Sequence, residues 1–225
     1  MRIGIVGTGN MGRSLGVAWA LAGHEVLFGA RDRAKAEAAA LLAGAPGRAG
    51  DNAEAARFGD VVVWNPRGPV GEVLEDPSLL SGKVLIDMHN GPVPPDLRFP
   101  PILEAHAERL AAGAPGARVV KAFNTLAQEV FEHDAATLRA RGVSVFLAGD
   151  DADAKATVAA LAAQLGLDAV DIGGLDRAAM LETQGDFIRY IMIATGRGLF
   201  TTLNIGQLPV AEGSRLGGRQ PTNLT

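Results

Sequence analysis

The sequence predicts an α/β protein with a doubly wound, mainly parallel sheet and a small helical cap at the C-terminus. Short apolar runs alternate with helical patterns along most of the chain, as expected for parallel strands joined by crossover helices. The first apolar run leads into closely spaced glycines that open a helix, which is typical of a Rossmann domain. After Gly174 the alternation stops and one long helical pattern follows. We therefore predict a Rossmann domain over residues 1–174, followed by a helical cap or dimerisation segment and a C-terminal arm over residues 175–225.

The individual elements follow from apolar or helical runs that are bounded by turn residues. Strands are predicted at Ile3–Val6, Glu25–Phe28, Asp60–Trp64, Lys83–Met88, Arg118–Phe123, Val143–Leu147 and Ala169–Ile172. Helices are predicted at Met11–Ala22, Arg31–Leu42, Ala53–Arg57, Ile102–Leu110, Asp151–Leu165 and Asp176–Ile193. The stretch from Gly206 to Thr225 contains glycine and proline and predicts an extended arm or a frayed end.

Composition excludes several classes of protein. The formal net charge is -4, whereas a general nucleic-acid-binding protein needs clustered Lys and Arg. The absence of cysteine excludes disulfides, thiolate nucleophiles and thiolate metal sites. No apolar run approaches the roughly 20 residues that span a bilayer, and the first strand leaves no room for a secretory signal. These features predict a cytoplasmic protein with no nucleic-acid or membrane partner, and no histidine pair has metal-ligand spacing.

The glycine-rich turn after the first strand predicts a dinucleotide-binding site. The sequence Gly7-Thr8-Gly9-Asn10-Met11-Gly12 matches G-x-G-x-x-G between a predicted strand and a predicted helix. Gly7 permits the tight turn, Gly9 lets a pyrophosphate approach the backbone, and Gly12 lets the helix pack close to the strand. The phosphates are expected at the free amides of the helix N-terminus. A strand-turn-helix that merely requires glycine is the alternative.

A cation follows the second strand, where a carboxylate would accept hydrogen bonds from an unphosphorylated adenosine ribose. Here the strand is followed by Ala30 and Arg31, and Lys35 lies one helical turn further on the same face. A guanidinium binds phosphate bidentately, so this pair predicts a 2′-phosphate and therefore NADP(H). Asp32 leaves a second possibility open, as an N-terminal cap or as a ribose ligand.

The glycine loop, Gly29-Ala30-Arg31, the strand "VVKAFNTL" and the terminal helix resemble the NADPH-dependent reductases of the deazaflavin coenzyme F-420. The same module is similar to the cytoplasmic domain of eukaryotic metalloreductases. The resemblance extends from Met1 to about Asn204 and implies a Rossmann domain with a small cap, assembled as a homodimer. It also implies hydride transfer between NADP(H) and a deazaflavin stacked against the nicotinamide.

The resemblance assigns specific positions to the dinucleotide. It implies that Thr8, Asn10 and Met11 contact the pyrophosphate, and that Arg31 and Lys35 contact the 2′-phosphate. Trp64, Asn65 and Pro66 would line the dinucleotide, and Ala122 and Asn124 would hold the nicotinamide carboxamide. The chain departs from the family pattern at Ala30, where a hydroxyl residue is common, and in the loops "NPRGPVGE" and "DMHNGPVPPD", which face the second substrate.

Two residues are candidates for a catalytic role. His89 follows a predicted strand and is expected to open into the cleft, where it would contact substrate or donate a proton; a structural histidine is the alternative. Asn124 is polar at the end of an apolar strand, and it or Thr125 would also cap a helix at Leu126–Phe131. No lysine follows Lys155, which argues against hydroxyacid dehydrogenases that use a lysine after the Rossmann domain.

Three functions remain open at this point. The first is transfer of hydride between NADP(H) and a deazaflavin-like acceptor. The second keeps NADPH but replaces the acceptor by a flavin, a quinone, or a small carbonyl or imine. The third is a redox sensor that binds NADP(H) without turnover. The apolar spacing of Ile188, Ile191, Met192 and Thr195 in the terminal helix further predicts packing on the Rossmann domain or on the partner of a homodimer.

Overall fold

The computed structural model describes residues 1–208 and contains one eight-stranded sheet, in the order β3-β2-β1-β4-β5-β6-β7-β8. All neighbouring strands are parallel except β6 and β7, so the predicted doubly wound, mainly parallel sheet is confirmed. The strands are β1 Arg2–Val6, β2 Glu25–Gly29, β3 Gly47–Gly50, β4 Val61–Trp64, β5 Val84–Asp87, β6 Arg118–Lys121, β7 Ser144–Gly149 and β8 Asp168–Asp171.

Helices cover both faces of this sheet. They are α1 Asn10–Leu21, α2 Arg33–Ala43, α3 Asn52–Phe58, α4 Val70–Val73, α5 His106–Gly113, α6 Ala135–Ala140, α7 Ala152–Gln164 and α8 Ala178–Ala194. Short 3₁₀ helices lie at Pro77–Leu80, Gln128–Glu132 and Leu175–Arg177. No helix among residues 1–208 combines the length and the apolar character that crossing a bilayer requires.

The strand order switches sides at β1, because β2 and β3 are added on one side of it and β4 and β5 on the other, which creates a crevice at the carboxyl ends of the parallel strands β1 and β4. Val6, the last residue of β1, pairs with Gly29 on one side and with Trp64 on the other. Further along the same edge, Asp87 of β5 pairs with Lys121 of β6. The residues that follow these strands therefore lie along one continuous edge of the sheet.

Two apolar cores hold the sheet between its helices. On one face, Trp19 of α1 packs edge-on against Phe123, with ring centroids 5.7 Å apart. Its indole Nε1 also donates to the carbonyl of Leu161 in α7 at 3.1 Å. The other core contains Leu80 and Leu110. Both cores include residues of the strands whose ends carry the polar residues.

Several sequence expectations differ from the structure. β3 was not predicted, because a short edge strand with glycine at both ends lacks an apolar run. The helix predicted from Ile102 begins only at His106, because Leu103 and Glu104 form a bend before it. Only a 3₁₀ helix, Gln128–Glu132, forms where Asn124 or Thr125 was expected to cap a helix.

The C-terminal helix packs on the Rossmann sheet, as the sequence predicts. Ile188 and Met192 of α8 are buried, whereas Thr195 is exposed. Leu181 of α8 forms a small apolar cluster with Phe146 of β7. The division into residues 1–174 and 175–225 stays a prediction, and most of the predicted arm, residues 209–225, lies outside the described residues.

Candidate active site

The glycine loop forms a tight turn between β1 and α1. Gly7 adopts a φ of 82°, and its N–H donates to the carbonyl of Gly29 at 3.0 Å and to Asn52 Oδ1 at 3.1 Å. The hydroxyl of Thr8 donates to the same Gly29 carbonyl at 2.9 Å. A Cβ at Gly7 would come within 3.0 Å of the ring of Pro66. Glycine is therefore required here both by the backbone conformation and by the loop after β4.

The start of α1 presents backbone amides without a side-chain cap. Gly9 is the N-cap residue, and no side chain among residues 1–208 hydrogen-bonds to this helix end. Asn65 donates through Nδ2 to the carbonyl of Gly7 at 2.9 Å, and a Cβ on Gly9 would lie 2.6 Å from that nitrogen. A Cβ on Gly12 would lie 2.8 Å from the Gly7 carbonyl oxygen. The turn thus has the glycines and the open helix end that fit a pyrophosphate.

Exposed cations lie beside this turn. Arg31 and Lys35 are both exposed, and neither forms an ion pair within residues 1–208. Arg33, by contrast, pairs with Glu37 at 2.9 Å. Asp32 caps α2 by accepting a hydrogen bond from the N–H of Ala34 at 3.1 Å. Asp32 therefore acts as the helix cap, and the two cations stand at the position that the sequence predicts for a 2′-phosphate.

The positions predicted to touch the dinucleotide differ in exposure. Asn10 is exposed, Met11 and Ala30 are half-buried, and Trp64 and Ala122 are buried. Pro66 is half-buried and lies between the glycine loop and a cavity beyond β4. The structure therefore aligns the predicted positions after β1, β2, β4 and β6 along one edge of the sheet.

A cavity of about 420 Å³ continues the crevice past Pro66. It is enclosed by the loops after β4 and β5 and by α5. Its lining includes Trp64, Pro66, Arg67, His89, His106 and Arg109. Arg67 and Arg109 are exposed at its rim, whereas His89 and His106 are more deeply placed. The volume falls in the range of roughly 300–1,000 Å³ that is typical of small-molecule sites.

A buried lysine lies directly beneath this cavity. Lys121 is fully buried, and its ammonium donates to Asp87 Oδ2 at 2.6 Å and to Glu182 Oε1 at 2.8 Å. It also hydrogen-bonds to the carbonyl of His89. Lys121 belongs to β6, and the three hydrogen bonds of its ammonium connect this strand to β5, to the loop after β5 and to α8. We call Lys121, Asp87 and Glu182 the buried charge cluster.

The two carboxyl groups of this cluster are shifted in opposite directions. Burial disfavours both charged forms. For Asp87 the burial is outweighed by the Lys121 ammonium and the His89 ring, which together lower the pKa well below its usual range. Burial raises the pKa of Glu182, and Lys121 only partly offsets it. Asp87 is consequently the permanent carboxylate of the pair.

Asp87 orients His89. His89 Nδ1 lies 2.7 Å from Asp87 Oδ1, and the backbone N–H of His89 donates to the same oxygen at 3.3 Å. The side chain of His89 is only 11% exposed, and Nε2 is buried with no hydrogen-bond partner within residues 1–208. The His106 ring lies 6.0 Å away, and burial together with Arg109 lowers the pKa of His106 to about 4.

Asn124 is fixed at the end of β6 by a second polar network. Its Nδ2 donates to Asn90 Oδ1 at 2.9 Å and to the Leu181 carbonyl of α8 at 2.6 Å. Asn90 in turn donates to the Asn124 carbonyl at 2.6 Å. Asn124 Oδ1 is buried without a partner among the described residues. The preceding Phe123 has a φ of 61°, a strained conformation for a bulky residue, which turns the chain sharply here.

Sequence reasoning missed the buried charge cluster and Asn90. Two signals for the cluster were available in the sequence: a lysine within the apolar run "VVKAF" and an aspartate at the end of "VLID". Charged residues in buried strands require partners, so each of them indicated a buried ion pair. Glu182 offered no such signal on its amphipathic helix. Within residues 1–208, no group of three His, Cys, Asp or Glu side chains is placed to hold a metal ion.

Comparison with known proteins places the chain in a family. The profile of the family described as NADP oxidoreductase, coenzyme F420-dependent, matches residues 2–91. The F420-dependent NADP reductase of Methanothermobacter marburgensis is 32% identical over 209 residues, which cover 81% of this chain and 88% of that protein. The metalloreductase STEAP3 of Rattus norvegicus is 29% identical over 182 residues, 80% of this chain but only 36% of the much longer rat protein.

Solved structures agree with this placement. A protein from Arthrobacter sp. FB24, assigned as an F420-dependent NADP reductase, has a TM-score of 0.74 and 27% identity, covering 91% of this chain and 99% of its own. The imine reductase from Myxococcus stipitatus in complex with NADP+ shares the fold alone, with a TM-score of 0.64, 18% identity and coverage of 88% and 64% of the two chains. The chain therefore belongs to the coenzyme F420-dependent NADP oxidoreductase family, whose members are NADP-dependent oxidoreductases.

Proposed function

We propose that this chain works in the cytoplasm as an NADP(H)-dependent oxidoreductase that transfers hydride between the nicotinamide and a deazaflavin-like acceptor held in the cavity. The observation that carries the proposal is the continuity of the site. The glycine loop meets Pro66 on one side, and the cavity is lined by Pro66 on the other. One crevice thus offers a phosphate site and an enclosed space at its two ends.

The chain's residues fit NADP(H) at the phosphate end. The uncapped start of α1, with Thr8, Asn10 and Met11, would bind the pyrophosphate. Arg31 and Lys35 would bind the 2′-phosphate, since they are exposed and not paired with a carboxylate among the described residues. Trp64, Asn65 and Pro66 would line the nucleotide, and Ala122 and Asn124 would hold the carboxamide. Asn124 Oδ1, a buried acceptor without a partner within residues 1–208, suits an amide donor.

The acceptor site is proposed from the cavity and the relatives. NADPH supplies the hydride, and the protein's part is to hold two rings in contact and exclude water. The 420 Å³ cavity has the size of a site for a ring system, and its rim carries Arg67 and Arg109. Relatives named as F420-dependent NADP reductases support a deazaflavin as the acceptor.

Two measurements test this function. Titration of NADPH and NADH should show tight binding of NADPH only, and Arg31→Ala should weaken NADPH binding by about 10-fold or more while leaving NADH unchanged. Arg33→Ala is the matched control, because Arg33 is already paired with Glu37. Equal affinity for the two nucleotides would overturn the NADP assignment. Oxidation of NADPH should then be followed with the deazaflavin, with FMN, with a quinone, and with carbonyls and imines.

A small carbonyl or imine is the second candidate acceptor. It is favoured by His89, which lines the cavity and has an uncommitted Nε2 within the described residues. Turnover with these compounds and not with a deazaflavin would select it. Turnover with FMN or a quinone alone would select those acceptors instead. Tight NADPH binding without turnover of any acceptor would select the redox sensor.

The assembly is proposed to be a homodimer formed through α8. One face of this helix packs on the sheet, but Phe187, Tyr190 and Ile193 on the other side are 57%, 44% and 50% exposed. Large apolar side chains grouped on one surface helix favour a protein partner. Size-exclusion chromatography with light scattering should give a dimer at micromolar concentration, and a monomer alone would contradict the proposal.

A further inference from the structure

The two nitrogens of His89 have different environments. Nδ1 lies 2.7 Å from Asp87 Oδ1, so this nitrogen carries a hydrogen that it donates to a carboxylate. Nε2 is buried and meets no hydrogen-bond partner within residues 1–208. The ring of His89 lines the 420 Å³ cavity, and a buried polar nitrogen ordinarily has a hydrogen-bond partner.

Asp87 can keep this orientation because its charge is fixed. Its second oxygen accepts a hydrogen bond from Lys121 at 2.6 Å, and both side chains are buried. Since Lys121 also binds Glu182 and the His89 carbonyl, the loop and the carboxylate cannot move independently. A carboxylate held at Nδ1 fixes the tautomer of the ring and directs proton exchange to Nε2.

The charged and titratable groups near His89 come from several elements of the fold. The strand ends contribute Asp87 and Lys121, and α8 contributes Glu182. The rim of the cavity carries Arg67 and Arg109, and α5 adds His106 with its ring 6.0 Å from that of His89. His106 is mainly uncharged at neutral pH, because burial and Arg109 lower its pKa to about 4. His89 alone in this group combines a carboxylate partner with a nitrogen that is uncommitted among the described residues.

We propose that His89 is the acid–base residue of this site, which donates a proton from Nε2 to a nitrogen or oxygen of the hydride acceptor. This proposal rests on the proposed function and adds a proton donor to the hydride transfer. The acceptor class is therefore one in which hydride adds to carbon and a proton adds to the heteroatom conjugated with it.

The step balances as a two-electron reduction. Hydride from NADPH forms the new C–H bond, and the electron pair of the acceptor's double bond moves to the heteroatom. The Nε2–H bond of His89 breaks as the heteroatom–H bond forms. His89 is left as a neutral imidazole with its hydrogen on Nδ1, and it regains a proton from solvent through the cavity. The reverse reaction uses Nε2 as the base.

The first test reads the tautomer and requires neither NADPH nor an acceptor. Long-range ¹H–¹⁵N spectra of the imidazoles, assigned by comparison with His89→Asn, should show neutral His89 with hydrogen on Nδ1 and none on Nε2. A neutral His89 with its hydrogen on Nε2 would overturn the proposal, because the Asp87 contact would then be wrong.

The second test uses turnover. His89→Asn and His89→Gln should each lower kcat on the order of 10²-fold, while the Kd for NADPH changes less than about 2-fold. The kcat–pH profile of these two variants should lack the ionisation of the catalytic acid that the wild type shows. Added imidazole should partly restore the kcat of His89→Ala. His133→Asn, at an exposed histidine outside the site, is the matched control.

The two proposals fail in different ways. If the wild-type protein oxidises NADPH with none of the acceptors, the hydride-transfer function fails. If the wild type turns over and His89→Asn and His89→Gln keep its rate and pH profile, the function stands and the role of His89 is refuted. Circular dichroism and NADPH titration of each variant separate loss of chemistry from loss of folding.

Discussion

The two ends of the crevice are built in different ways. At the proposed phosphate end, the groups available to a ligand are backbone amides and exposed side chains within the first 35 residues, such as Arg31 and Lys35. At the cavity end, Asp87, Lys121 and Glu182 are buried, and they come from three elements spread over almost a hundred residues of chain. The first end is local in sequence and open to water, and the second is assembled by long-range packing.

This difference determines how each end responds to substitution. Removing an exposed cation costs the protein only the attraction to the ligand, because water solvates the neighbouring groups that remain. A buried charge leaves its partners without compensation in a medium that solvates them poorly. We therefore expect changes at the phosphate end to alter binding, and changes in the buried charge cluster to alter folding as well.

The largest expected effect is that of Lys121→Met. Asp87 and Glu182 would be left buried without their cation, and the free energy of unfolding should fall by about 3 to 5 kcal/mol. Urea denaturation followed by circular dichroism measures this loss. Lys155→Met is the matched control: its Nζ lies 2.9 Å from Asp171, whose side chain is 52% exposed and stays solvated without its cation, so the expected loss is smaller. Equal losses in the two variants would break the comparison.

The second effect separates binding from folding at the phosphate end. Gly9→Ala would place a Cβ 2.6 Å from Asn65 Nδ2 and obstruct the approach to the start of α1. The Kd for NADPH should rise by about 10-fold or more, with little change in the urea midpoint. Isothermal titration calorimetry gives the Kd. Gly71→Ala, where a Cβ meets no atom of the described residues within 4 Å, should leave NADPH binding unchanged.

The third effect is a pH dependence of stability at the cavity end. The pKa of His106 is lowered from 6.5 to about 4 in the folded protein, so the unfolded chain binds more protons between these values. Its contribution to stability is thus present above pH 6.5 and lost as pH falls towards 4. Between pH 6.5 and 4 the free energy of unfolding should fall by about 1 kcal/mol less in His106→Asn than in the wild type. This difference is smaller than the full pKa shift implies, because His106 is only half-buried and solvent screens its charge. An unchanged slope in urea titrations would contradict this expectation.

The smallest expected effect is that of removing Lys35, the second exposed cation at the proposed phosphate end. Lys35→Ala should raise the Kd for NADPH by about 3-fold at low salt, because an exposed charge acts through a screened attraction. The difference from wild type should nearly vanish at high salt, where screening is strong. Lys155→Ala, far from the crevice, serves as the control. A difference that does not depend on salt would show that Lys35 contributes through a buried contact instead.

Much of the fold could be predicted, and so could the glycine turn and the exposed cations beside it. The parallel sheet follows from apolar runs that alternate with helices, and Gly7 and Arg31 lie next to strands that are easy to recognise. The edge strand β3 could not be predicted, since the stretch from Gly47 to Gly50 contains no apolar run. It is a strand only because its backbone pairs with β2. His89 was a candidate from its place after a strand, but the function of its ring depends on Asp87 and Lys121.

The sequence by itself determined the order of the elements, the glycine turn and the cations beside it, because each depends on residues close together in the chain. Only the tertiary structure decided which buried charges meet. Asp87 and Lys121 pair because β5 and β6 align in one register, and Glu182 joins them because α8 packs over that edge. A lone charge in an apolar run shows that a partner must exist, but the partner is chosen by packing across the fold.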